Sequence, residues 1–218
     1  MTRIGIFDYG AGNLHSLLKA IEGEGRNVSV DTDIRAALES DILLLPGVGA
    51  FGAAVAAMRG SQGYVRSALA DGKSCLGICL GMQMLFDASE EAEGGRREAE
   101  SGTREAGSGR REAESDAGIG LIPGRVRRLM TRKVPHMGWN EIEWIADGRL
   151  HCAYFANAYV CRPEDNSSVL AWTTHQNARF ASVVRKANTV GVQFHPEKSS
   201  AAGRAFVNLV IDELLQCK

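Results

Sequence analysis

Two hydrophobic rhythms alternate through the first half of the chain. Short, nearly continuous apolar runs lie at residues 3–7, 27–30, 41–45 and 74–78. Between them, at about residues 13–24, 50–58 and 62–70, and again from 80 to 86, the pattern is helical. The run Asp41-Ile42-Leu43-Leu44-Leu45, closed by Pro46-Gly47, is what a central parallel strand covered on both faces requires. This order predicts an α/β fold with an open, mostly parallel central sheet and helices on both faces. The second half is richer in strands, expected at 139–145, 153–161, 169–173, 179–184 and 190–195, before an amphipathic helix over about 201–216.

Between the halves, residues 95–115 form three glycine-led heptads rich in Arg and Glu. No heptad position carries a large apolar residue, so there is no seam for a coiled coil to bury. Such a segment cannot offset chain entropy, and it reads as a solvated, mobile insert. The remaining sequence suits one large domain over residues 1–218, burying roughly 70% of its unfolded surface without disulfides. A net charge of −1 gives no support to nucleic-acid or membrane binding. No apolar run approaches the roughly 18 residues of a membrane span, and strand-like residues 4–7 leave no room for a signal peptide. The five cysteines are odd in number and form no C-x-x-C pair, as expected of reduced thiols in a cytoplasmic protein without a zinc site. No metal or other cofactor is expected.

Chemistry enters at Gly77-Ile78-Cys79-Leu80-Gly81, where a cysteine follows a strand and precedes a helix. A nucleophile on so tight a turn needs small neighbours, and Gly77 and Gly81 supply them. The helix start at Leu80 directs N–H groups toward the sulfur and favours thiolate. A free cysteine is most often a buried core residue, and this motif alone would not displace that reading. The second element does so: His195-Pro196-Glu197. Proline disfavours the helical region for the residue before it and fixes its own φ, so the tripeptide is expected to be extended, which would place the Glu197 carboxylate beside the His195 ring. His195 then serves the thiol as base and leaving ammonia as acid, with Glu197 fixing its tautomer. The third element is Pro46-Gly47-Val48-Gly49, a turn at the carboxyl edge of a central strand, where ligand sites of open sheets lie. Backbone N–H groups of Gly47, Val48, Gly49 and Leu80 form a candidate oxyanion hole. Gly10-Ala11-Gly12 imitates a dinucleotide fingerprint, but His15 stands where its third glycine belongs, so it reads as a structural turn.

Gly77-Ile78-Cys79-Leu80-Gly81-Met82-Gln83 together with His195-Pro196-Glu197 resembles the class I (triad) glutamine amidotransferases. Lys133-Val134-Pro135-His136-Met137-Gly138-Trp139-Asn140 and Gln193-Phe194-His195-Pro196-Glu197-Lys198-Ser199 narrow the resemblance to the glutaminase subunits of imidazole glycerol phosphate synthases. The resemblance implies a Cys79–His195–Glu197 triad that hydrolyses glutamine through a γ-glutamyl thioester, with Gln83 holding the substrate. It also implies a heterodimer with a (β/α)₈-barrel cyclase subunit. That partner would take the ammonia through a channel and make imidazole glycerol phosphate and an aminoimidazole carboxamide ribonucleotide, in histidine biosynthesis. Lys198 and Trp139 would face it. Two alternatives stay open: a paralogue supplying ammonia to another synthase, such as one amidating a surface sugar, and a non-catalytic subunit. The chain departs from the family pattern in its heptad insert and at Asn157 and Ala158, where His-Ser is usual.

Overall fold

A computed structural model of the chain describes residues 1–10, 14–23, 25–91, 117–146 and 148–216. The heptad insert, the end of the Gly10-Ala11-Gly12 motif and Cys217 lie outside the described residues. The strands are β1 (Thr2–Phe7), β2 (Arg26–Asp31), β3 (Ile42–Leu45), β4 (Ser74–Ile78), β5 (Phe86–Ser89), β6 (Ile122–Arg128) and β7 (His136–Glu141). They continue with β8 (Glu143–Trp144), β9 (Cys152–Asn157), β10 (Tyr159–Pro163), β11 (Val169–His175), β12 (Ala178–Lys186) and β13 (Thr189–Val192). The helices are α1 (His15–Ile21), α2 (Ile34–Leu38), α3 (Phe51–Ala57), α4 (Gln62–Ala70), α5 (Leu80–Met84) and α6 (Ser200–Gln216).

Among the described residues the main sheet has eight strands in the order β2-β1-β3-β4-β13-β12-β11-β8. The β2-β1-β3-β4-β13 block is parallel, and β12, β11 and β8 extend it antiparallel. β3, β4 and β13 are buried along their whole length, which explains the unbroken apolar run Ile42–Leu45 and the mainly apolar or small residues of the other two. The last strand in sequence, β13, inserts beside β4 with Val192 opposite Ile78, while β3 lies on the other side with Leu45 opposite Gly77. That topology brings the chain after residue 192 to the end of β4. α6 closes the back of the sheet through Phe206, Val207, Val210, Ile211 and Leu214. It runs hard against the turn after His195: a Cβ at Gly203 would stand 2.3 Å from the Pro196 carbonyl oxygen.

The sequence-based elements of the first half recur, the helix expected over 62–70 at those bounds and the one expected over 13–24 shortened to His15–Ile21. The run expected as one strand over 153–161 is two, β9 and β10, which leave for different small sheets: β9 pairs β7, and β10 joins β6 and β5. The strand expected over 190–195 ends at Val192. The extended form expected for His195-Pro196-Glu197 is also corrected. His195 itself is extended, but Pro196–Lys198 is a 3₁₀ turn closed by Lys198 N–H to the His195 carbonyl at 3.1 Å. Proline's φ suits the first position of a helical turn as well as an extended chain, and this proline takes the former.

Candidate active site

Three segments meet at the carboxyl edge of β3 and β4. Cys79 follows β4 with φ 49° and ψ −102°, a left-handed conformation that costs a non-glycine residue about 1–3 kcal/mol. Hydrogen bonds hold it there from both sides: Cys79 N–H donates to the Val192 carbonyl (2.6 Å) and Gly81 N–H to the Pro46 carbonyl (3.1 Å). The glycine spacing is dictated by this crowding. A Cβ at Gly77 would lie 2.6 Å from the Gly81 carbonyl oxygen, and one at Gly81 only 2.0 Å from that of Leu45.

His195 arrives from the other side of β4, its N–H donating to the Tyr154 carbonyl at 2.8 Å. Ser199 fastens this segment by donating to the His195 carbonyl (2.6 Å) while accepting from Tyr154 N–H (2.9 Å). The ring's Nδ1 meets Glu197 Oε1 at 2.8 Å, and both side chains are nearly buried. The Cys79 side chain acts on the ring electrostatically from the other direction. Burial alone would lower the His195 pKa, but the charge and hydrogen bond of Cys79, then those of Glu197, outweigh it and raise it to about 10.

The imidazole is therefore positively charged at neutral pH, paired with the sulfur on one side and the carboxylate on the other. Its pKa is raised on folding, so its contribution to stability is complete below about 6.5, the unfolded value. That contribution is lost as pH climbs toward about 10. In Cys79→Ala the largest raising cause disappears while burial remains. The His195 ring should then titrate well below its wild-type value, as read by NMR of labelled imidazole nitrogens. An unchanged titration would contradict the coupling of the two groups.

A cavity of about 270 Å³ opens in front of Cys79 and His195. Gly47, Val48 and Gly49 line one side, Leu80 and Gln83 the floor, and Ala156 to Tyr159 the opposite wall, with exposed Lys198 at the rim. Gly47 sits against the His195 ring, and Gly49 has φ +124°. Leu80, as the first residue of α5, has an N–H that no intrahelical carbonyl takes. The residues expected for nucleophile, base, oxyanion hole and substrate contact thus surround one space, with Glu197 directly behind His195. Trp139 lies apart on β7, 55% exposed and edge-on to Tyr154.

Other residues lacked a legible sequence signal. Glu91 lines the cavity; partial burial raises its pKa, offset in part by the Phe51 N–H it accepts at 3.3 Å. It is one acid in the run Glu90-Glu91-Ala92-Glu93, with nothing to single it out. The Tyr159 carbonyl accepts from both Gln83 Nε2 and Asn157 Nδ2 at 3.1 Å. Asn157 Oδ1 is buried without a partner among the described residues. Tyr9, whose ring lies beside Gly49, donates its hydroxyl to the Pro46 carbonyl that also accepts Gly81 N–H.

A cysteine on a strained elbow, a charged histidine–carboxylate pair and a donor-lined turn suit acyl transfer from an amide. The family model for glutamine amidotransferase class-I matches residues 5–212. The chain belongs to this family. The imidazole glycerol phosphate synthase subunit HisH of Symbiobacterium thermophilum is 41% identical over 213 residues, covering 93% of this chain and 90% of that protein. The subunit of the same name from Thermus thermophilus is 40% identical over 94% of each chain. That of Gloeothece citriformis is 34% identical over 98% of this chain and 97% of its own. Among solved structures, a glutamine amidotransferase superposes with a TM-score of 0.69 at 17% identity, covering 99% of this chain and all of that one. PurLQS from Thermotoga maritima gives 0.66 at 15% identity, over 98% and 100%. At that distance the likeness concerns the fold alone. Among the described residues, no helix of this amidotransferase is long and apolar enough to cross a membrane.

Proposed function

We propose that this class-I amidotransferase is the glutaminase subunit of an imidazole glycerol phosphate synthase, supplying ammonia to a cyclase subunit built as a (β/α)₈ barrel. The carrying observation is the Cys79–His195–Glu197 arrangement beside a cavity lined by the Gly47–Gly49 turn, Leu80 and Gln83; near-full-length similarity to HisH subunits supports the pathway.

Cys79 Sγ attacks the side-chain amide carbon of glutamine, and the carbonyl electron pair moves to oxygen. N–H groups of Leu80 and the Gly47–Gly49 turn receive that oxyanion; one such donor contributes about 2.7–4 kcal/mol in the transition state. His195 gives its proton to the leaving nitrogen, the C–N bond breaks, and ammonia departs from a γ-glutamyl thioester. Water then loses a proton to His195 and attacks the thioester carbon. The C–S bond breaks, glutamate leaves, and the sulfur regains its charge.

The pocket fits the two nitrogen-bearing ends of glutamine. An ammonium group beside Glu91 relieves the desolvation of that carboxylate, and Gln83 lines the same cavity with its Nε2 tied to the Tyr159 carbonyl. Lys198 and Trp139 remain the residues assigned to the partner-facing side. A glutamine-analogue electrophile such as a diazoketone should label Cys79, identified by peptide mass, and glutamine should protect it. Labelling absent even in the complex would contradict the assignment. Glu91→Gln should raise KM for glutamine about 10–100-fold with little change in kcat, because a hydrogen bond to a charged group contributes about 1.5–3 kcal/mol. An unchanged KM would remove Glu91 from the substrate site.

A further inference from the structure

Parallel pairing of β13 with β4 sets Val192 opposite Ile78, and Cys79 N–H donates to the Val192 carbonyl. One residue further along each chain, Gln193 falls beside Cys79. The Gln193 side chain is fully buried, and its Nε2 stands 3.6 Å from Cys79 Sγ, within reach of an N–H···S hydrogen bond. Its Oε1 is buried without a partner among the described residues. An unpaired buried carbonyl is destabilising, and a methionine would occupy similar space without that penalty. Packing therefore does not account for a glutamine here, whereas its donor does. Against an ionised sulfur only the N–H end of the amide can face inward, which fixes its orientation.

We propose that Gln193 is a catalytic residue of this same site, donating a side-chain hydrogen bond that holds Cys79 as a thiolate aimed into the cavity. The inference rests on Cys79 being the nucleophile. A charge-assisted hydrogen bond to sulfur is strongest when the sulfur is anionic. Gln193 therefore acts twice per cycle: it raises the thiolate fraction before attack, and it stabilises the thiolate as leaving group when water breaks the thioester. Glu197 reaches the sulfur only through His195. Tyr9 and Cys161 feel the sulfur's charge, but burial keeps both neutral across the working range.

The test is the pH dependence of Cys79 alkylation by iodoacetamide in the full chain, without glutamine or partner, read on the Cys79 peptide by mass spectrometry. Gln193→Met removes the donor at similar volume and should move the half-maximal pH upward by about one unit, slowing alkylation about tenfold below it. Gln193→Glu, which places a like charge beside the sulfur, should move it further. A wild-type profile in both variants, or a lower plateau with an unmoved midpoint, overturns the proposal. If neither variant folds, the wild-type chain still decides it. The Gln193 side-chain amide resonance should shift with the same midpoint as alkylation and lose that response in Cys79→Ala; an unresponsive resonance overturns the proposal. Glutamine is never turned over in these experiments, so their failure is distinct from failure of the glutaminase reading, which analogue labelling reports.

Discussion

Cys79→Ala, assembled with the cyclase subunit, should lose glutamine-dependent synthesis by about 10⁴-fold or more while synthesis from added ammonia continues at the wild-type rate. The size follows from what a nucleophile does: without it the residual rate comes from binding and oxyanion contacts alone. The selectivity follows from division of labour, since ammonia entering from solution bypasses every step that needs sulfur. The substitution removes one sulfur atom from a buried position that is 6% exposed, and alanine leaves the elbow's backbone hydrogen bonds intact. Loss of folding is therefore not the expected cause of inactivity. Equal loss of both activities would contradict the account, because it would place Cys79 in the chemistry of the acceptor or in assembly.

Gly81→Ala should be strongly destabilising, because the added methyl meets backbone. Its Cβ would stand 2.0 Å from the Leu45 carbonyl oxygen and 2.8 Å from the Leu45 Cβ, both in the buried strand β3. Neither neighbour is a flexible side-chain end, so the elbow or the strand must shift. Overpacking usually costs about 1–3 kcal/mol, and a backbone clash belongs at or above the top of that range. Denaturant unfolding should show a loss of about 3 kcal/mol or more, and glutaminase activity should fall with it. Gly63→Ala is the control: it lies in α4 with nothing within 4 Å, and should be neutral or stabilising by up to about 1 kcal/mol. Similar behaviour of the two variants would mean that the glycine spacing around Cys79 has no steric basis.

The elbow was legible because sterics write it into sequence: a strand, a nucleophile and two glycines at fixed offsets leave little else to build. The parallel half of the sheet was legible because strands buried on both faces need unbroken apolar runs, as in Ile42–Leu45. β6 was not, since Ile122–Arg128 contains a proline, a glycine and three arginines and presents only alternate residues to the interior. β5 was hidden because Phe86–Ser89 directly follows α5 and continues its apolar pattern. The pairing of His195 with Glu197 was anticipated although its local geometry was not, because the two residues can meet through either a 3₁₀ turn or an extended chain. Glu91 and Gln193 were beyond reach. Their importance depends on a cavity and on a strand inserted out of sequence order, which only the tertiary arrangement creates.

The central claim is a glutaminase coupled to a partner, and its most direct test is glutamate release from glutamine. The purified chain should be assayed alone, with the cyclase subunit, and with that subunit carrying its ribonucleotide ligand. The account predicts little release by the chain alone and strong stimulation by the liganded partner. No stimulation in a complex whose formation is confirmed would contradict it.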